Sequence, residues 1–181
     1  DVTGRLLRVL LAVNGKKMQV RDISVEGDAQ IVETQTAEIG AAPFRLTGDA
    51  VHVTGADSPQ TKALLAGKPA EVSGRGATMR GATVHFDRAA NRAWVPGPGE
   101  MTLPLDRAQA SLFAANGSAR QSVGGEEQSK PTPPALVTWR EAMTFDGQTV
   151  QLRGDVVART PSQRVTAPAV DVTLMQRINF A

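Results

Sequence analysis

The stretch Gly81-Ala82-Thr83-Val84-His85-Phe86-Asp87-Arg88-Ala89-Ala90-Asn91-Arg92-Ala93-Trp94-Val95-Pro96-Gly97-Pro98-Gly99-Glu100-Met101-Thr102-Leu103 packs three strand signals and two turn signals into one short span. Val84 and Phe86 fall on one face of an extended segment, Thr83 and His85 on the other, and Ala93 and Val95 repeat the alternation beyond a turn at Asp87 to Asn91. That spacing predicts a hairpin. Pro96-Gly97-Pro98-Gly99 holds two residues without a backbone donor and two that tolerate positive φ. A central strand is not expected to run through it, so the chain should corner there and open another strand at Met101 and Leu103.

Toward the N-terminus, Leu7, Val9, Leu11 and Val13 alternate with Leu6, Arg8, Leu10 and Ala12, and Asn14-Gly15 follows. A helix over the same leucines competes with this reading. The Asn-Gly turn, with Met18, Val20, Ile23 and Val25 beyond it, predicts a hairpin instead. A repeated unit then emerges, apolar-x-Gly-Asp-small-x-Val: Gly27-Asp28-Ala29, Gly48-Asp49-Ala50 and Gly154-Asp155-Val156 share it, and Leu65, Gly67, Ala70 and Val72 follow the same rhythm. Strand, glycine kink and strand, recurring without helical segments between them, predict a rolled or stacked sheet with repeated corners. An ordinary sandwich with shared turn chemistry fits the regular turn spacing as well.

From 114 to 134 the alternation stops in a polar, glycine-rich and finally proline-rich run, expected to be a flexible loop, with a short helix before it over Asp106 to Ala115. Strand signals return from Leu136 to Phe145, turn at Asp146-Gly147, and continue through Val150, Leu152, Val156, Val165, Val170, Val172 and Leu174. The loop therefore reads as an excursion from one sheet, and residues 1–181 as a single all-β domain.

Composition narrows the function classes. Aromatic residues make up 4% of the chain, with two tryptophans and no tyrosine, so an aliphatic core is expected and stacking platforms for nucleic-acid bases are scarce. The net charge is +2, and Arg75, Arg80, Arg88 and Arg92 are interspersed with Glu71, Asp87 and Glu100, so no nucleic-acid partner is expected. With no cysteine there is neither a disulfide framework nor a thiolate metal site. No run approaches the ~20 apolar residues of a membrane-spanning helix. Because the chain opens abruptly at Asp1, it is expected to be a mature or excised piece, with any export signal upstream.

Motifs for chemistry are missing. His52 and His85 stand singly on polar strand faces without a second ligand at metal-binding spacing, so no metal and no cofactor are expected. No Gly-x-Ser-x-Gly occurs, and the glycine pairs at Gly74-Arg75-Gly76 and Gly97-Pro98-Gly99 lack the Lys-Ser or Lys-Thr of a phosphate loop. Glu126-Glu127 lies in the polar run. Asp28, Asp49 and Asp155 supply one carboxylate per unit, fewer than calcium needs, and turn capping is the favoured reading. Trp94 and Trp139 read as core or edge packing. The chain is therefore expected not to be an enzyme, and no catalytic residue is assigned.

The residues Val25-Glu26-Gly27-Asp28-Ala29, Gly81 to Asp87, Asn91 to Gly99 and Gly154-Asp155-Val156-Val157 resemble the OstA-like (LptA-like) family of lipopolysaccharide-transport proteins. The resemblance implies an open, twisted β-jellyroll, folded like a taco from strand-Gly-strand units, in the periplasm or cell envelope. It also implies an apolar groove carrying an amphiphilic lipid or lipopolysaccharide. Partners would include further copies or other jellyroll proteins joined edge to edge. Candidate groove residues are Ile31, Val51, Val53, Val72, Val84, Phe86, Val95, Met101, Phe145, Val150 and Leu152. A carrier would leave the space between them partly unfilled. A structural or interaction scaffold, the competing class, would fill it with the same side chains.

Overall fold

The computed structural model describes residues 1–15, 17–33, 43–74, 77–103, 134–174 and 177. The expected helix over 106–115 and nearly all of the expected loop at 114–134 lie outside them. The described residues are all-β: β1 (Val2–Thr3), β2 (Leu6–Asn14), β3 (Lys17–Val32), β4 (Arg45–Thr54), β5 (Lys62–Gly74), β6 (Ala77–Asp87), β7 (Arg92–Pro96), β8 (Gly99–Leu103), β9 (Ala135–Trp139), β10 (Ala142–Phe145), β11 (Thr149–Arg159) and β12 (Arg164–Thr173). All twelve belong to one sheet, and every pairing is antiparallel. Both hairpins expected from Asn14-Gly15 and Asp146-Gly147 form, as β2–β3 and β10–β11. In the second, the Asp146 carboxylate accepts the N–H groups of Gln148 and Thr149 at 3.0 and 2.7 Å and caps the turn.

Hydrogen bonding closes a ring of six strands, β6-β7-β10-β11-β9-β8 and back to β6, with β1 to β5 and β12 outside it. The ring is a narrow one. β5 occupies one edge of β6 along its length, from Lys62↔Asp87 to Gly74↔Ala77. β7 and β8 must therefore share the other edge end to end, through His85↔Trp94 and Gly81↔Gly99. By the same reasoning β12 fills one edge of β11, and β10 and β9 lie end to end along the other. The ring thus closes around an interruption, Pro96-Gly97-Pro98 on one side and Arg140-Glu141 on the other. The chain corners at Pro-Gly-Pro-Gly as expected and opens the strand that holds Met101 and Leu103, and that strand, β8, continues along the same neighbour as β7. One expectation is corrected: the run from Leu136 to Phe145 is broken at its middle, between β9 and β10.

Such breaks fall at one level across the whole sheet. Register shifts separate Glu26 from Ala29, Thr47 from Ala50, Ala66 from Ala70 and Arg153 from Val156, and Gly4-Arg5 interrupts β1 and β2 opposite Gly27-Asp28. At two of these places the Gly-Asp dipeptide turns left-handed at both residues: φ is 74° and 52° at Gly27 and Asp28, and 80° and 45° at Gly154 and Asp155. Two consecutive left-handed residues bend a strand sharply, and glycine followed by aspartate is a combination that tolerates it. An arginine in the adjoining break completes each site, Arg5 at 3.4 Å from Asp28 and Arg140 at 3.6 Å from Asp155. Gly48-Asp49 shares the sequence without these angles.

The bend folds the sheet over itself. Arg45, Ser73 and Thr78 stand in one cross-strand row, which sets Phe44 level with Gly74 and Ala77, so in a flat sheet it would lie about 30 Å from Phe86 at ~3.3 Å per residue. Their ring centroids are 6.2 Å apart, edge to face. The core lies between the two halves. Val25, Val51, Leu65, Val84, Val95, Met143 and Leu152 come from one side of the bend line, Ala29, Leu46, Ala70, Val72, Val137, Trp139 and Val156 from the other, and all join one buried cluster. Trp139 closes it beside the kink, its Nε1 donating to Gly97 O at 3.1 Å.

The kinks differ in how much room they leave. A Cβ on Gly154 would stand 2.8 Å from Glu141 N, whereas one on Gly97, at φ 84°, meets nothing within 4 Å. Gly97→Ala should therefore cost about 1 kcal/mol from φ alone, and Gly154→Ala at least about twice that. Urea denaturation midpoints measure both, and equal losses would show that the close approach at Gly154 is unimportant.

Candidate functional site

All eleven predicted groove residues point to the interior and belong to one cluster, but the structure sorts them into two sets. Val51, Val84 and Val95 are completely buried, Val72 and Leu152 nearly so. Ile31, Val53, Phe86, Met101, Phe145 and Val150 are half-buried and pack against that centre. The first set fills the space between the half-sheets together with Val25, Leu65 and Trp139, which sequence reasoning did not assign to the interior as a group. The sequence showed Val25 and Leu65 as members of alternating runs and Trp139 as core or edge packing; which half of the sheet would cover them depends on the fold-over.

The apolar inner face does not end with the covered core. Leu7 stands directly opposite the buried Val25, and Val9 opposite Ile23. The register shift between Leu10 and Leu11 moves the partner from Asp22 to Val20, so β3 carries the extra residue and β2 keeps its alternation. Leu7, Val9, Leu11 and Val13 therefore share the inner face, with Met18 and Val20 across from Val13 and Leu11. Leu7 is 53% exposed, Val13 72% and Met18 66%. The β2–β3 hairpin thus forms an uncovered apolar lip continuous with the core. It was visible in the sequence as an alternating strand, with nothing to say that its inner face would lie open.

Outward-facing groups are engaged with one another. Cross-strand register sets His52, Leu64, His85, Trp94 and Thr144 in one row. His85 and Trp94 stack, with centroids 4.6 Å apart and planes inclined by 8°, and the Arg92 guanidinium lies 5.3 Å from the Trp94 ring centre. Trp94 is accordingly an outer-face residue, and Trp139 a core one. Leu64 separates the two histidines by about 10 Å of sheet, too far to share a ligand. Among the described residues no three His, Cys, Asp or Glu side chains gather as a metal site. Arg80 bridges Glu71 at 2.6 Å and Glu100 at 3.1 Å, and these carboxylates, Glu71 first, raise its pKa above the ordinary value. The alternation of charge read from the sequence here becomes a cross-strand network.

A hollow of about 610 Å³ opens at the strand ends, between Ala56, Asp57, Ser58 and Pro59 of one turn and Arg88, Ala89 and Asn91 of another. None of the predicted groove residues lines it. Its carboxylate is already committed, since Asp57 Oδ2 accepts the Val20 N–H at 2.8 Å. The neighbouring turn is held by Asp87, which accepts from Ala90 N at 2.9 Å and has its pKa lowered chiefly by that bond.

No family model, curated protein or solved structure matches the chain.

The outer row carries a pH dependence. Burial lowers the His85 pKa from its ordinary value. As pH falls through about 6.5 the unfolded chain binds the proton first, so the native state loses stability until His85 itself is protonated below that point. The thermal midpoint should fall on acidification through this range, and His85→Gln should flatten that part of the profile. A wild-type midpoint that rose instead would mean that the Trp94 ring stabilises the imidazolium more than burial opposes it.

Proposed function

We propose that this chain is a non-enzymatic lipid-handling module of the periplasm or cell envelope, a jellyroll of the OstA-like kind that carries or bridges an amphiphile such as lipopolysaccharide. The observation that supports this reading is the uncovered apolar lip on β2 and β3, which extends the inner face from the packed core into solvent. An acyl chain laid there would gain about 0.8 kcal/mol for each methylene buried, before ordering costs. The filled centre excludes a chain threaded past Val51 and Val84, so the lipid contact belongs to the lip and to the half-buried Ile23 and Val53 beside it.

One specific observation favours the second reading, a structural scaffold associating through its edges: the middle of the proposed groove is occupied by the protein's own side chains. Titration of lipid A and of a simple fatty acid separates the two. Wild type should bind with saturation at micromolar concentration. Leu11→Asp, on the lip, should weaken binding by about tenfold or more, while Leu64→Asp, on the outer face, should leave it unchanged, with circular dichroism confirming both folds. A folded wild type that shows no saturable binding would hand the case to the scaffold.

A further inference from the structure

Past the end of β4 the β2–β3 hairpin runs on alone. Thr54, the last residue of β4, pairs with Asp22. Beyond it Ala56 and Asp57 reach β3 through their N–H groups, which donate to the carbonyls of Arg21 and Val20. From there to the turn, Leu11 to Asn14 and Lys17 to Gln19 have only each other as strand neighbours among the described residues. This two-stranded tip is amphipathic. Leu11, Val13, Met18 and Val20 share its inner face, and Ala12, Asn14, Lys17 and Gln19 the other. The apolar face is open, with Val13 and Met18 the most exposed of the large apolar side chains described.

The charge of the tip is one-sided. Leu10 to Arg21 holds three basic residues and no acidic one, in a chain whose whole net charge is +2. Asp22 and Asp57 stand at the base of the tip, where Asp57 Oδ2 accepts the Val20 N–H. Arg8, lower on the same hairpin, is tied to Glu26. Lys17 and Arg21 have no carboxylate partner among the described residues. An apolar strip alone would suit any apolar partner. Uncompensated positive charge beside it selects a surface that is apolar underneath and anionic on top.

We infer that the β2–β3 tip docks the protein on an anionic bilayer. Leu11, Val13, Met18 and Val20 enter the boundary between headgroups and acyl chains, while Lys17 and Arg21 meet lipid phosphates. The ribbon lies along the interface, as an amphipathic helix does, and does not cross it. The free edge of β2 limits its depth. Backbone N–H and C=O groups there need water or headgroup oxygens, which they find about 5–10 Å into the interface and not in hydrocarbon. This docking goes beyond the lipid-carrying reading. A carrier holds one amphiphile taken out of the bilayer; docking needs an assembled anionic surface and the cations of the tip, and stands whether or not a lipid is extracted.

Cosedimentation with vesicles of phosphatidylcholine containing about 30% phosphatidylglycerol should show saturable binding, with half-binding on the order of 0.1 mM lipid. Binding should be about tenfold or more weaker on phosphatidylcholine alone, and should fall as salt is raised. Lys17→Glu should weaken anionic binding by about tenfold or more. Arg164→Glu, the same change in net charge on exposed β12, should leave it unchanged. Met18→Ser, which removes apolar contact and no charge, should weaken it by about fivefold or more. The chain has no native cysteine, so Val13→Cys carrying an environment-sensitive fluorophore reports the contact directly. Its emission should shift to the blue on the anionic vesicles, and that of Ser162→Cys, between β11 and β12, should not. The labelled pair decides the matter if a charge variant fails to fold. Wild type that leaves anionic vesicles unbound overturns the docking, whatever protein it then binds; saturable binding of dispersed lipid A by that same protein would leave the carrier reading standing. Equal binding to anionic and neutral vesicles, equal losses from Lys17→Glu and Arg164→Glu, or a Val13→Cys label that vesicles do not shift would overturn it as well.

Discussion

A single-layered β-sheet cannot take a side chain wholly out of water, and the described residues include no helix to cover either face. The buried core therefore depends on one constraint: every strand must bend at the same level, so that one half of the sheet becomes the cover of the other. The Gly-Asp steps at Gly27-Asp28 and Gly154-Asp155 meet that constraint with two left-handed residues each. Arg5 and Arg140 stand beside them as counter-charges. Elsewhere the same level is reached by other means, Gly67 to Pro69 in β5 and Pro96 to Pro98 between β7 and β8. Were one strand to run straight through, its neighbours would lose register on one side of the line and the two halves could not close on Val51, Val84 and Val95.

Folding over also divides the chemistry of the two faces. Inside, packing is aliphatic around one tryptophan, and the indole N–H of Trp139 is satisfied by Gly97 O. Outside, charges and rings pair along the rows of the sheet. Arg80 with Glu71 and Glu100, and His85 with Trp94, each join neighbouring strands without converging on a shared point. Exposed pairs of this sort contribute little individually, about 0 to 1 kcal/mol. They keep these rows of the outer face polar, and among the described residues the exposed leucine and valine side chains are concentrated on β2.

That lip is where the functional proposals meet. An acyl chain would use its inner face, and a scaffold that associates through its edges would use its free edge. Among the described residues the sheet has one edge strand, β2, that is free of proline and one, β12, that is interrupted by Pro168.

The sequence alone determined the strands and most of their turns, because alternation and turn chemistry are local. Val84 with Phe86 against Thr83 with His85, Asn14-Gly15, Asp146-Gly147 and the repeated Gly-Asp step were all legible as they stood, and so was the all-β class. The candidate groove residues were legible as inward-facing, since period-two alternation fixes a side chain's face. What alternation cannot give is the partner across the fold. Only the tertiary structure decided that the strand opened after Pro96-Gly97-Pro98 lies along the same edge of β6 as β7, because that depends on β5 already occupying the other edge. It likewise decided that Val51, Val84 and Val95 are sealed while Leu7, Val9 and Val13, with the same pattern, lie open. Burial is set by which half-sheet lies opposite, and β2 reaches past the half that would have covered it.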